Sequence, residues 1–159
     1  MPSQPRFISD VMLGGLSKWL RILGFDTLYF REIDDNELIK IAKQEQRILL
    51  TRDSAIAVSR KINSCIILKS NDTAGQLKEL LTALKNSIGT VTEGMLPRCT
   101  ECNGSLLSSN KEAVSNDIPE YVFLNFNSFF KCMDCGKVYW EGSHKRMIDA
   151  KIDSILKEI

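Results

Sequence analysis

The sequence has neither a long apolar run nor an excess of charge of one sign. Its longest apolar stretches, such as Cys65-Ile66-Ile67-Leu68, are strand-sized, far short of the about 20 residues a bilayer-crossing helix needs. No N-terminal segment joins a charged start to an apolar run and a small-residue cleavage site, so export is not expected. Lys and Arg total 21 against 20 for Asp and Glu, a formal net charge of +1. So even a balance removes the strongly basic surface from which nucleic-acid binding is most simply argued. The charge is slightly uneven, with 13 basic and 10 acidic residues in 1–85 against 8 and 10 in 86–159. Repeats and low-complexity tracts are absent. With 159 residues, 43% hydrophobic and 26% charged, the chain suits one average domain, or a small domain plus a smaller stabilised module.

What stands out is cysteine. Cys65 lies in an apolar, strand-like run, while the other four form Cys99-x-x-Cys102 and Cys132-x-x-Cys135. In a chain with no export signal the pattern implies reduced thiols, metal and a cytoplasmic setting, not disulfides. A two-residue gap lets both sulfurs of a turn face one tetrahedral zinc at about 2.3 Å. Gly104 and Gly136 follow the pairs, where a tight turn favours a residue without a β-carbon. The knuckles are 29 residues apart, a wide spacing assigned to the polar insertion Ser108–Glu120. Free or redox-active thiols are the alternative. The matched pairs, in a segment poor in large apolar side chains, favour one structural zinc held by a four-cysteine ribbon. His144 is then expected at the surface or near substrate, not as a ligand.

The front half alternates short apolar runs with amphipathic stretches, the pattern of a parallel α/β sheet. Strands are expected at Phe7–Ser9, Thr27–Phe30, Arg47–Thr51 and Cys65–Leu68. Met12, Leu13, Leu16, Trp19, Leu20 and Leu23 share a helical face closed by Gly24. A second helix spans Leu38 to about Gln46, a short one Ser54–Arg60, and Leu77, Leu80, Leu81 and Leu84 mark a fourth. The organisation is therefore a doubly wound domain over residues 1–85 and a linker over 86–97. A zinc ribbon over 98–143 follows, with strands at Tyr121–Phe126 and Val138–Trp140. The C-terminal helix, 144–159, groups Met147, Ile148, Ile152, Ile155 and Leu156.

Asp10 and Asp53 each fall at the carboxyl end of an expected strand, the edge where open α/β sheets bind ligands. Asp34 and Glu37 read as a capping box. Asp35 shares the face of Leu38, Ile39 and Ala42, so a buried and costly carboxylate is expected there unless it is paired or metal-bound. Carboxylates so placed suit a hard divalent cation, Mg²⁺ or Mn²⁺, the kind of ion that supports phosphodiester hydrolysis. Arg21 and Arg52 are candidates for phosphate contact, each equally able to pair with a site carboxylate. Lys18 is expected in solvent, Asp72 as a helix cap, Trp19 in the core, and Tyr139 and Trp140 over the zinc module.

Four segments carry a family likeness: Arg6–Asp10, Leu20–Thr27, Asp34–Leu38 and Ile48–Asp53. With the two knuckles and Tyr139–His144 behind them, the chain resembles the Mut-seven C-terminal family, a PIN-like nuclease domain followed by a zinc ribbon. The resemblance spans nearly the whole chain. It implies a metal-dependent ribonuclease acting on RNA, with Asp10, Asp35 and Asp53 at the positions of the metal-holding acids. A further acid usual in an early helix is replaced here by Ser17, Lys18 and Arg21, leaving Asp34 or Glu37 as its substitute. The competing reading is a non-catalytic RNA- or protein-binding module. A phospho-accepting signalling domain fits less well, having an acidic pair after its first strand where this chain has Asp10 alone.

Overall fold

The computed structural model describes residues 4–58, 62, 64–88 and 96–159. Its front part alternates β1 (Phe7–Ser9), α1 (Gly14–Ile22), β2 (Thr27–Tyr29), α2 (Asp35–Gln44), β3 (Ile48–Thr51), α3 (Ser54–Val58), β4 (Cys65–Ile67) and α4 (Thr73–Ile88). The strands are all parallel, in the order β2-β1-β3-β4. Alternate side chains leave a strand on opposite faces, and here both faces are covered. Phe7 and Leu50 join Leu16, Leu20, Leu77 and Leu80 in one core, and Ile8 and Leu49 join Leu38, Ile39 and Ala42 in the other. The front domain is thus doubly wound, as its alternating pattern predicts.

Apolar spacings of three and four place Leu16 and Leu20 of α1, with Leu13 and Leu23 at its two caps, on one buried side, each burial contributing about 1.5–3 kcal/mol. The helix ends in a left-handed cap. Gly24, at φ 98, lets its own N–H reach the Arg21 carbonyl and that of Phe25 reach Leu20, satisfying carbonyls the helix leaves open. Met12 is a correction. It lies in a 3₁₀ turn, Val11–Leu13, ahead of α1 and is exposed.

Behind this sheet, β5 (Leu106–Ser109), β6 (Phe129–Cys132) and β7 (Val138–Trp140) form an antiparallel sheet with α5 (Glu120–Asn125) inserted between β5 and β6. The strand expected at Tyr121–Phe126 is therefore a helix. β-Propensity favoured a strand, but Val122, Phe123 and Phe126, at the one- and four-residue spacings of a single helical face, pack into the third core, while Tyr121 and Leu124 face solvent. Pro119 stands at the N-cap of α5, just ahead of the first turn, where a ring without an N–H does no harm.

The last helix, α6 (Ser143–Lys157), packs Ile152, Ile155 and Leu156 against the first core beside α4. Met147, expected on that side, is exposed. Part of the expected linker is helical, since α4 runs through Ile88; residues 89–95, like 59–61 after α3, lie outside the described residues. Among the described residues no helix is long and apolar enough to cross a membrane.

Candidate active edge and zinc centre

The chain runs outward from β1 to β2, then crosses back over β1 through α2 to reach β3. A topological switch point therefore lies between β1 and β3, where loops leaving the carboxyl ends of the strands diverge. Asp10 and Asp53 follow these two strands directly. Asp10 is buried, its N–H bonded to the Leu50 carbonyl. Its Oδ1 accepts the Val11 N–H at 2.6 Å and its Oδ2 accepts the Thr51 hydroxyl at 2.9 Å. That same hydroxyl oxygen accepts the Asp53 N–H at 3.0 Å. Thr51, a fully buried residue that sequence reasoning passed over, thus joins the two carboxylate positions. Asp53 is exposed, and its Oδ1 caps α3 through the Ala55 N–H at 2.8 Å. Each carboxylate oxygen offers two lone pairs, so both side chains retain accepting capacity toward solvent or a cation.

The third group of acids opens α2. Asp34 is its N-cap, accepting the Glu37 N–H at 2.9 Å, and Glu37 pairs with Lys40 at 3.7 Å. Leu38, Ile39 and Ala42 are buried as expected, but Asp35 is exposed. The first turn of α2 projects beyond the apolar cover its later turns provide, so the Asp35 carboxylate is solvated and not buried. No hydrogen bond joins Asp34, Asp35 or Glu37 to Asp10 or Asp53 among the described residues.

The arginines separate. Arg21 is buried, with Nε on the Thr27 carbonyl at 3.0 Å and Nη1 on the Thr100 carbonyl at 2.7 Å. Burial lowers its pKa, and the neighbouring Cys102, Cys99, Glu101 and Tyr139 offset only part of that effect. It fastens α1 and β2 to the first knuckle and is not free for phosphate. Arg52, beside Asp53, pairs with no carboxylate among the described residues; its Nη2 donates to Asn71 Oδ1.

Among the described residues, the group of three or more metal-ligating side chains drawn together is Cys99, Cys102, Cys132 and Cys135, their sulfurs all within 4.8 Å of one another. Cys99–Cys135 and Cys102–Cys132 sulfurs are 3.6 and 3.4 Å apart. These distances are too long for a disulfide and close to the roughly 3.8 Å edge of a tetrahedron with 2.3 Å zinc–sulfur bonds. Zinc fits this donor set. The fifth thiol, Cys65, belongs to the second core, and burial pushes its pKa up.

Around the centre, Tyr139 accepts the Thr100 N–H and lies 3.1 Å from Cys99 Sγ. Burial, and then the Cys99 sulfur, raise the phenol's pKa, so its proton stays in place to be donated to sulfur. The residue after each second cysteine adopts a left-handed backbone, Asn103 at φ 70 and Gly136 at φ 78. In the first knuckle that role falls to Asn103. Gly104 is required for space instead, since a β-carbon there would meet Cys132 Sγ at 2.8 Å.

Asn103 also plugs the knuckle into the sheet. Its Oδ1 accepts the Thr27 N–H at 3.0 Å and its Nδ2 donates to Asp26 Oδ1 at 2.7 Å. Asp26 in turn holds Arg6 at 3.0 Å and the buried Arg47 at 2.7 Å, and Arg47 reaches the Phe7 carbonyl. Burial alone would raise the Asp26 pKa, but hydrogen bonds from Arg47, Asn103 and Arg6 hold it well below the usual carboxylate range.

No curated protein and no solved structure matches this chain. The family profile described as the Mut7-C RNAse domain matches residues 5–152. Because that span takes in both the parallel sheet and the paired knuckles, the chain belongs to the Mut7-C RNAse domain family, which makes it a nuclease by kinship.

Proposed function

We propose that the chain hydrolyses phosphodiester bonds of RNA at the carboxyl edge of β1 and β3, with Asp10 and Asp53 holding a Mg²⁺ or Mn²⁺ ion. The observation that carries this reading is the Thr51 hydroxyl, which holds the Asp10 carboxylate and accepts the backbone N–H of Asp53 across the switch point. Mg²⁺ is commonly bound by one or two carboxylates plus substrate phosphates, keeping several waters, so two adjacent acids with open lone pairs fit it. When bound, such an ion stabilises phosphoryl charge and lowers the pKa of a water. The chain's own residues do the rest. Thr51 fixes the Asp10 carboxylate, Asp53 anchors the α3 turn, and the exposed Asp35, with Asp34 and Glu37, keeps the flank of the edge acidic. The four-cysteine centre is a structural zinc site, and cysteines held reduced on a metal suit a reducing compartment such as the cytoplasm.

One observation favours the binding-module alternative: α1 brings no acid to this edge, and its Ser17 is buried on the Leu13 carbonyl. Cleavage of an end-labelled RNA with Mn²⁺, Mg²⁺ or EDTA separates the two. Activity that needs the divalent ion and disappears in Asp10→Asn and in Asp53→Asn supports the nuclease. Metal-independent RNA binding without cleavage supports the module.

A further inference from the structure

Buried polar atoms are almost always hydrogen-bonded, so each exception calls for an explanation. Among the described residues two buried side-chain polar atoms lack a partner, Ser9 Oγ and Arg52 Nε. Both lie at the carboxyl edge, Ser9 as the last residue of β1 and Arg52 just beyond β3. Arg52 is the more informative. It stands next to Asp53, one residue past the Thr51 that grips Asp10, yet it forms no ion pair with either acid. Its guanidinium is held instead by a neutral acceptor, Asn71 Oδ1, in the loop between β4 and α4. A neutral clamp fixes the position of the cation without quenching its charge. Guanidinium has five donors, and the shielded Nε–H remains unmet. Leaving a buried donor unmade is costly, the more so on a charged group.

Resting on the reading of this edge as an RNA site, we infer that Arg52 is a phosphate-binding residue and Asn71 the positioning residue that presents it. The anion that completes Arg52 is a non-bridging phosphate oxygen of single-stranded RNA. Planar guanidinium matches that geometry, which a lysine ammonium does not reproduce. The clamp also explains why an asparagine and not an aspartate stands at position 71. An aspartate would accept the same hydrogen bond but neutralise the cation.

The test is fluorescence anisotropy of a labelled single-stranded RNA oligonucleotide on the full, zinc-loaded chain. Ca²⁺ replaces Mn²⁺ to suppress turnover, and salt is varied. Arg52→Gln is expected to weaken binding about tenfold and to flatten the slope of log Kd against log salt by about 0.7, one phosphate contact on a single strand. Arg52→Lys should not restore affinity. Asn71→Asp should weaken binding nearly as much as Arg52→Gln, and Asn71→Ala less. Combining Asn71→Ala with Arg52→Gln should add nothing, because the two act as one unit. If Arg52→Gln proved unstable, the exposed Asn71→Asp change would carry the same test. Unchanged affinity and slope in Arg52→Gln or Asn71→Asp would overturn the inference, as would an Asn71 effect that persists without Arg52. Parallel cleavage assays in Mn²⁺ keep the two proposals apart. Arg52-dependent binding without cleavage would retain the phosphate contact and remove the nuclease. Cleavage with Arg52-independent binding would do the reverse, and neither binding nor cleavage would remove both.

Discussion

The two edges of the parallel sheet are built on opposite terms. At the amino edge, before β1, β2 and β3, Arg6, Asp26, Glu45, Arg47 and Asn103 form one network, and Arg21 ends on two carbonyls. At the carboxyl edge, Asp35 and Asp53 face solvent, an arginine is held by an amide, and both of the unpartnered buried side-chain atoms among the described residues are found. The contrast supports the proposed reading, with stability at the first edge and chemistry at the second. It also moves the zinc ribbon. Its first knuckle docks on the amino edge, through Thr100 and Asn103, not beside the acids.

The largest effect should follow removal of zinc. Structural zinc contributes about 10–16 kcal/mol of folding free energy in small modules, and metal analysis should return one ion per chain. Cys132→Ser should release it and unfold the ribbon. Because Asn103 and Thr100 belong to the first knuckle, chelation should also lower the melting temperature of the α/β sheet, seen by hydrogen exchange in β2. Undiminished protection of β2 after chelation would show that the knuckle rests on the sheet without supporting it.

Asp26 comes next. Asp26→Ala removes one of the two carboxylates that pair with the buried Arg47 at 2.7 Å, leaving Glu45 as the other, and should cost about 2 kcal/mol in urea melts. The sign with pH follows from the depressed pKa. The Asp26 contribution is present in full above the unfolded value, about 3.9, and is lost as pH falls below it toward the folded value. Wild type and Asp26→Ala should therefore converge in stability in acid and diverge at neutral pH. A gap independent of pH would remove the ion pairs as its cause.

A smaller contrast lies within two neighbours at the carboxyl edge. Asp34→Ala removes an N-cap and should cost about 1 kcal/mol, while Asp34→Asn keeps the capping oxygen and should cost little. Asp35, exposed in the first turn, gains only from the helix dipole, so Asp35→Asn should change stability by about 0.3–1 kcal/mol at most. A clear rise in stability for Asp35→Asn without metal would mean that its charge is buried after all.

Much of this was legible in local pattern. The four parallel strands and β7, the Gly24 cap, the Asp34 and Asp72 caps and the paired knuckles follow from spacing and residue type over a few positions, whereas β5 and β6 were not expected. The placement of Asp10 and Asp53 at one edge follows because parallel strands end together. What escaped was set by partners far along the chain. Arg21 is claimed by Thr100, and Asn103 by Asp26 and Thr27, and neither claim leaves a mark near those residues. Asp35 shares a face with buried residues, yet helical phase says nothing of how far the covering elements reach. At Tyr121–Phe126 residue propensity suggested a strand, while the helix follows from the shared face of Val122, Phe123 and Phe126.

The central claim, that chemistry and stability occupy opposite edges of one sheet, is tested most directly by pairing Asp10→Asn with Asn103→Gly. Each variant is measured for Mn²⁺-dependent RNA cleavage and for melting temperature. Glycine keeps the left-handed backbone at position 103 while deleting the bonds to Thr27 and Asp26, a loss of about 2 kcal/mol, or about 4–8 °C in a chain of this size. The division predicts that Asp10→Asn abolishes cleavage at an unchanged or higher melting temperature, and that Asn103→Gly melts earlier but cleaves normally while folded. Cleavage surviving in Asp10→Asn, or lost in folded Asn103→Gly, would contradict it.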